Sequence, residues 1–329
     1  MPVATQVAVL AGGVGAAKFL RGLIAVVPQS QVTAVVNVGD DTVLHGLMVS
    51  PDIDTITYTL AEAVNPATGW GLVGETWQAI EQVRRYALSN GISETDAAGN
   101  DAAGWFALGD RDLGTHLYRT SRRRAGATLT QVTAEICNTW GLELKLLPVT
   151  DDALSTEVRT ADGRELSFQE YFVREHHEVA VSQIRFAGAD AAQPGPDVLS
   201  SLARADLICI APSNPIVSID PVLAVQGVRA AVTAARERTV AISPIVGGAA
   251  LKGPADRLLR ELGHEVSVVG IARYYAEFAS TLVIDTVDRH LADQVEAVGM
   301  RCIVAPTVMT DRAAAAELAA GCIDAIITR

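Results

Sequence analysis

Four short stretches of this 329-residue chain carry residue types that bind or move charge, and each directly follows an apolar run. The first is Gly12-Gly13-Val14-Gly15-Ala16-Ala17-Lys18. Glycines let a backbone approach an anion, and a helix opening behind them offers free amides and a partial positive charge, so the loop suits phosphate. It departs from the dinucleotide fingerprint, because Lys18 stands where the third glycine is expected, and it lacks the Gly-Lys-Ser/Thr ending of a P-loop. A tight strand-to-helix turn would use the same glycines for packing alone, and Lys18 could be an ordinary solvated side chain.

The second stretch is Asn37-Val38-Gly39-Asp40-Asp41, followed after a short connection by Ser50-Pro51-Asp52-Ile53-Asp54-Thr55. Asp40, Asp41, Asp52 and Asp54 have no Lys or Arg close behind them, so they would repel one another unless a cation or hydrogen-bond donors joined them. Hard oxygen ligands with no His or Cys at ligand spacing point to Mg²⁺ rather than Zn²⁺. Capping and ribose binding remain open for Asp40 and Asp41, as does a helix N-cap for Asp52 behind Pro51.

The third stretch, Pro212-Ser213-Asn214-Pro215, fixes an amide and a hydroxyl between two prolines, suitable for hydrogen bonds to a base or phosphate, although it could equally be a rigid turn. The fourth, Ser243-Pro244-Ile245-Val246-Gly247-Gly248 and then Lys252, repeats the chemistry of the first, so two loops could grip one diphosphate. Asp110, Arg111 and Asp112 form a charge cluster that reads equally as a structural ion network or as a substrate contact. Arg122, Arg123 and Arg124 read as a solvated helix face, and the pair His176-His177 as surface.

The elements that must hold these loops follow from hydropathy. Gln6–Leu10 is a β-branched run, Ala16–Val27 has Phe19, Leu20, Leu23 and Ile24 at helical spacing, and Gln31–Val38 is a second buried strand. Nearly continuous apolar strands around a helix mark a parallel sheet covered on both faces. Further strands are expected at Asp206–Ala211, Thr239–Ser243, Val266–Ile271, Thr281–Ile284 and Arg301–Val304. Between Glu143 and Ala187, alternation and an Asp162-Gly163 turn predict antiparallel hairpins, while Ser89–Gly104 is polar and breaker-rich and predicts a loop. The sum is a doubly wound, mostly parallel Rossmann-like α/β sheet with ligands at the carboxyl ends of its strands. Residues 1–76 and 197–329 form the nucleotide-binding core, and 77–196 an inserted helical and mixed-sheet region.

Composition sets bounds. With 26 basic and 38 acidic residues the net charge is −12, which argues against nucleic acid or an anionic membrane surface as a partner. Mean hydropathy is high, +0.26, yet every apolar stretch is broken well short of the ~20 residues a spanning helix needs. No export signal is visible, so a cytosolic protein is expected. Cys137, Cys209, Cys302 and Cys322 lie far apart and read as buried reduced thiols.

Nine blocks in collinear order, among them AGGVGAAKFLRGL, NVGDDTVLHGLMVSPDIDTITYTLA, WFALGDRDLGTHLYRT, KLLPVTDD, PSNPIVSIDPVL and SPIVGGAALKGPADRLL, resemble the 2-phospho-L-lactate transferases of coenzyme F420 biosynthesis over nearly the whole chain. The resemblance implies transfer of a phosphoester unit from a guanosine diphosphate-linked donor to the ribityl hydroxyl of 7,8-didemethyl-8-hydroxy-5-deazariboflavin, with GMP leaving. It also implies dependence on Mg²⁺ and a homodimer. On it, Gly12, Gly13, Gly15, Lys18, Ser213, Asn214, Gly247 and Gly248 go to the donor nucleotide, Asp40 and Asp54 to Mg²⁺ and the acceptor hydroxyl, and Thr55, Arg111 and His116 to the acceptor pocket. Val14, Ala16 and Ala17 replace residues common in the family, which alters side chains more than the backbone cradle. Two other classes compete: a non-catalytic nucleotide-sugar-binding regulator of the same fold, and a nicotinamide dehydrogenase. The missing third glycine counts against the dehydrogenase.

Overall fold

The computed structural model describes residues 5–92, 106 and 108–327. In chain order it runs β1 (Val7–Ala11), α1 (Gly13–Val26), β2 (Val32–Val36), β3 (Thr42–Leu44), β4 (Leu47–Val49), α2 (Pro51–Leu60), α3 (Gln78–Ser89), α4 (Asp110–Arg124) and α5 (Leu129–Thr139). Then follow β5 (Lys145–Pro148), β6 (Ser155–Thr160), β7 (Glu165–Ser167), β8 (Val181–Ala187), α6 (Val198–Arg204), β9 (Leu207–Ile210), α7 (Asp220–Ala224) and α8 (Val228–Ala234). The chain closes with β10 (Thr239–Ile242), β11 (Ile245–Val246), β12 (Ala249–Ala250), α9 (Ala255–Glu261), α10 (Val268–Tyr275), β13 (Thr281–Ile284), α11 (Ala292–Ala297), β14 (Arg301–Val304) and α12 (Arg312–Ile327).

Seven strands form one parallel sheet in the order β14-β13-β10-β9-β1-β2-β5. β1 is its centre: all five of its residues are buried, and Val9 lies beside Ala34 of β2 and Cys209 of β9. Its β-branched and Leu side chains face helices on both sides, and burying each contributes about 1.5–3 kcal/mol. From β1 the chain winds one way to β2 and β5, and the other way through β9, β10, β13 and β14. The direction reverses between β1 and β9, and the loops leaving those two strands, 12–15 and 212–214, therefore flank a crevice of the kind where doubly wound folds bind ligands. A three-stranded antiparallel sheet, β7-β6-β8, stands apart, as the alternation at 156–168 predicts. Among the described residues no single helix is long and apolar enough to cross a membrane.

Three expectations change. Val266–Ile271 is not a strand: Ser267 caps α10 by accepting from Gly270 N at 3.0 Å, and Val268, Val269, Ile271, Ala272 and Tyr275 bury a helical stripe. A short β-branched run has no periodicity of its own, so the cap decided it. α1 begins at Gly13 rather than at Ala16, which shortens the glycine loop to one turn. β5, inside the stretch 77–196, pairs with β2 from Thr33↔Lys145 to Val36↔Pro148 and so belongs to the main sheet. Of the breaker-rich stretch 89–104, residues 93–104 lie outside the described residues, and Ser89 ends α3.

Candidate active site

α2 opens with Pro51 in its first turn, where the missing N–H costs nothing, and carries Asp52 and Asp54 near the positive end of its dipole. Asp52 does not cap its own helix. Its Oδ1 accepts the Gly13 amide at 2.8 Å and its Oδ2 accepts from Asn37 Nδ2 at 2.9 Å. The carboxylate thus sits at the start of α1, where an external anion was expected, and binds β1, β2 and α2 into one unit. Asn37 completes the tie, its Oδ1 accepting the Gly39 amide at 2.7 Å.

Asp40 and Asp41 lie beside this knot. Gln169 Nε2 donates to the Asp40 carbonyl at 3.1 Å, and Ser50 Oγ donates to Asp41 Oδ2 at 2.7 Å. One carboxylate oxygen of each, Oδ1, is buried without a partner. Burial and then the neighbouring Asp52 charge push Asp40 well above the usual carboxylate range. Burial raises Asp41 to about 8 and Asp52 to about 6. Asp40, Asp41 and Asp52 therefore form a buried set with two bare oxygens and no thiol or imidazole among its members, and Asp54 adjoins it. That donor set fits a hard divalent cation.

Asp54 is different, because it has a counter-ion that the local sequence does not show. Arg119 of α4, 1% exposed, places Nη2 on Asp54 Oδ1 and Nη1 3.1 Å from Oδ2. Its Nη1 also lies 3.2 Å from His116 Nδ1 and 3.4 Å from the Met48 carbonyl. Beyond His116, Nε2 faces Asp112 Oδ2 at 3.5 Å, and Tyr58 donates to Asp112 Oδ1 at 2.6 Å. Burial raises Asp54 while Arg119 and His116 pull it down. Asp54, Asp112 and His116 could also hold a metal, their ligand atoms lying within 4.8 Å of one another. The guanidinium already supplies a positive charge there.

A second wall is basic. Lys18 and Lys252 form no hydrogen bond or ion pair with any described residue, and they stand close to each other: burial, then Lys252, then Arg21 lower the Lys18 pKa. Val14 and Lys252 Nζ both reach the backbone at Gly69, so the first and fourth loops converge there. Gly15 is required by contact, since a Cβ would run into the Pro212 carbonyl. Ser213 Oγ donates to the Gly12 carbonyl at 2.8 Å, and Asn214 Oδ1 accepts Ile216 N at 3.0 Å while its buried Nδ2 has no partner. Gly247 takes a left-handed φ of +59°, and its amide donates to Asp288 Oδ2 at 2.9 Å. The amides of Gly13 and Gly247 are thus occupied by aspartates, which leaves the lysines, Asn214 Nδ2 and the remaining loop amides to meet an anion.

Of the expected acceptor residues, Thr55 and His116 are buried beside the carboxylates, whereas Arg111 is on the rim with its guanidinium donating to the Val73 carbonyl. Asp110 accepts the amides of Gln78 and Ala79, both at 3.0 Å, and Glu75 accepts those of Arg111 and Asp112, so much of the Asp110–Asp112 cluster fastens α3 to α4. Sequence reasoning missed Arg119, Asn37 and Asp288. Asn37 stood in a quoted motif, while Arg119 and Asp288 act on residues far away in the chain.

The parallel doubly wound sheet, with buried carboxylates beside its switch-point loops, is of the Rossmann-like α/β class. Residues 7–321 match the family described as 2-phospho-L-lactate transferase CofD, and the chain belongs to that family. It is 43% identical over 319 residues, 95% of each chain, to the phosphoenolpyruvate transferase of Kitasatospora aureofaciens. It is 39% identical over 325 residues, 97% of this chain and 94% of the other, to the phosphoenolpyruvate transferase of Nocardia farcinica. A crystal structure of a UPF0052-family protein from Bacillus halodurans covers 98% of this chain and 100% of its own with a TM-score of 0.62 at 17% identity, which speaks for the fold alone.

Proposed function

We propose that this transferase moves a three-carbon phosphoacid unit from a guanosine diphosphate-linked donor to the ribityl hydroxyl of 7,8-didemethyl-8-hydroxy-5-deazariboflavin. The hydroxyl oxygen forms the new bond to the phosphorus that carries the acid, the bridging P–O bond of the diphosphate breaks, and GMP leaves with that oxygen. Phospholactate, phosphoenolpyruvate and 3-phosphoglycerate are the candidate units. The names of the curated relatives favour phosphoenolpyruvate.

One combination supports the reading: Lys18 and Lys252 stand close together with no hydrogen bond or ion pair to any described residue, and Asp40 and Asp41 in the buried aspartate set each keep an unpartnered oxygen. Lys18 and Lys252 hold the diphosphate by charge-assisted contacts, and Ser213 and Asn214 fix the loop behind the nucleotide. Asp40 and Asp54 hold Mg²⁺ when it is bound, and the ion neutralises the diphosphate in an acidic site. On this reading Asp54 also takes the acceptor proton, with Thr55 and His116 beside it. The first loop and α2 supply positioning, which is most of what phosphoryl-type transfer asks of a protein. We place the reaction in a homodimer in the cytoplasm, with residues 77–196 covering the acceptor.

Purified protein mixed with Mg²⁺, the deazaflavin and each of the three donors in turn should release GMP, fastest from the phosphoenolpyruvyl donor, with mass spectrometry identifying the product. Absence of GMP release from all three would sink the proposal.

A further inference from the structure

Arg119 lies in the same helix as the run Arg122 to Arg124, of which Arg124 is exposed and the other two half-buried, yet its own side chain is enclosed. Its guanidinium spans three elements: both oxygens of Asp54 on α2, His116 Nδ1 on α4 itself, and the Met48 carbonyl on β4. The next residue strengthens the same junction, because Thr120 Oγ1 accepts the Met48 amide at 2.8 Å. A guanidinium has donors and no acceptor, so His116 Nδ1 must be the accepting nitrogen. The ring hydrogen then sits on Nε2, which has no hydrogen-bond partner within ordinary range and faces Asp112 Oδ2 at 3.5 Å. Asp112 is in turn held by Tyr58, whose hydroxyl donates to it and lies 2.7 Å from Thr115 Oγ1.

We propose that Arg119 is a positioning residue: it clamps the Asp54 carboxylate in one orientation toward the site and fixes His116 as the Nε2–H tautomer, through contacts that no substrate needs to make. Its catalytic consequence rests on the transfer reading above, whereas the clamp itself does not. A carboxylate gripped along both oxygens cannot rotate about its terminal bond, so its remaining lone pairs keep a single direction. The β3–β4 hairpin, which begins directly after Asp41, is held by the same guanidinium, and Arg119 thereby sets Asp54 relative to Asp40 and Asp41.

Two measurements test this. With ¹⁵N-histidine-labelled protein, the His116 ring should show a protonated Nε2 and a bare Nδ1. Arg119→Lys, which retains a donor, should preserve that pattern, and Arg119→Met should mix the tautomers. A proton on Nδ1 in the wild type overturns the proposal even if Arg119→Met does not fold, and so does an unchanged spectrum in a folded Arg119→Met. In the GMP-release assay, Arg119→Met should lower kcat about 100-fold with the donor KM within about twofold, the size expected for a misplaced group. Arg119→Lys should recover part of that loss. In an Asp54→Asn background the further loss should shrink below about threefold, because the two residues act as one unit. Equal losses in both backgrounds would mean that Arg119 supports the fold in general. A wild type that releases no GMP removes the transfer reading alone, and the tautomer measurement still decides the clamp.

Discussion

On the carboxylate wall nearly every fixed contact crosses the chain: Asp52 reaches Gly13, 39 positions away, and Arg119 reaches Asp54 across 65. On the lysine wall, Lys18 and Lys252 meet no hydrogen-bonding or ion-pair partner among the described residues. One side is cross-linked by these contacts yet keeps buried atoms without partners, among them Asp40 Oδ1 and Asp41 Oδ1, while the other holds positive charge without a described counter-ion. Buried polar groups are normally satisfied, so the places where they are not mark what must come from outside. On the proposed reading a Mg²⁺-bound diphosphate meets both, the cation at the aspartates and the anion at the lysines.

The contrast breaks most severely at Asp54. Asp54→Asn keeps the shape but leaves Arg119 facing a neutral amide, so GMP release should fall about 1,000-fold, or ~4 kcal/mol in the barrier. The donor KM should move far less, because Lys18 and Lys252 still hold the diphosphate and Asp40 still holds its ion. A loss confined to KM would place Asp54 in donor binding and erase the division between the walls.

The crowding of Asp40, Asp41 and Asp52 predicts a pH dependence of the opposite sign to that of ordinary paired carboxylates. Their folded pKa values lie above the unfolded value, about 8 for Asp41 and about 6 for Asp52, so the folded state binds more protons. The resulting stability is complete below about pH 4 and is lost as pH rises through 6 and then 8. Metal-free protein should therefore weaken by about 3 kcal/mol or more between pH 5 and pH 9, on the scale of about 1.4 kcal/mol per pKa unit. Mg²⁺ should restore the loss at the alkaline end, since binding requires deprotonated ligands. Urea denaturation at several pH values, with and without Mg²⁺, measures this, and Asp41→Asn should flatten the metal-free curve. A metal-free protein that gains stability toward pH 8 would show that the aspartates are compensated within the chain.

How much of this could be read from residues alone follows the same division. The strands, the two glycine loops and the acidic quartet were legible because each is a local pattern: β-branched runs, glycines behind strands, four aspartates near one another. The lysines were legible as types but not as a pair, since 234 residues separate Lys18 from Lys252. Arg119 was hidden, because one arginine in a helix that ends Arg122-Arg123-Arg124 looks like part of a solvated face, and only the fold turns it inward. The occupied amides of Gly13 and Gly247 were hidden for the same reason. A glycine in a loop shows that backbone can be approached, not whether a carboxylate has already done so. Val266–Ile271 failed on different grounds, its Ser267 cap being a three-residue signal inside an apolar run.

Removing one positive charge from the lysine wall should have a smaller effect. Lys252→Ala removes one charge-assisted contact to the diphosphate, about 1.5–3 kcal/mol, so the donor KM should rise roughly 10- to 100-fold with kcat nearly unchanged. Raising the salt concentration should weaken donor binding in the wild type more than in the variant. Equal salt dependence would take Lys252 out of the donor site.

The smallest effect is expected behind the wall, at Asp288. This carboxylate is 3% exposed and its Oδ2 accepts the amide of Gly247, a residue whose φ of +59° suits glycine. Asp288→Ala leaves that amide without its acceptor and frees the loop that leads to Lys252. The unsatisfied donor costs about 1 kcal/mol of stability, at the low end because Gly247 is near the surface and water can reach it. The loop conformation is then one of several, so the donor KM should rise by roughly the matching factor of 5, with kcat unaffected because Asp54 and Arg119 are untouched. Asp288→Asn keeps an acceptor oxygen and should lose less. If Asp288→Ala instead lowers kcat, the two walls are coupled through the loop, and the division of labour between them fails at the place where it should be easiest to preserve.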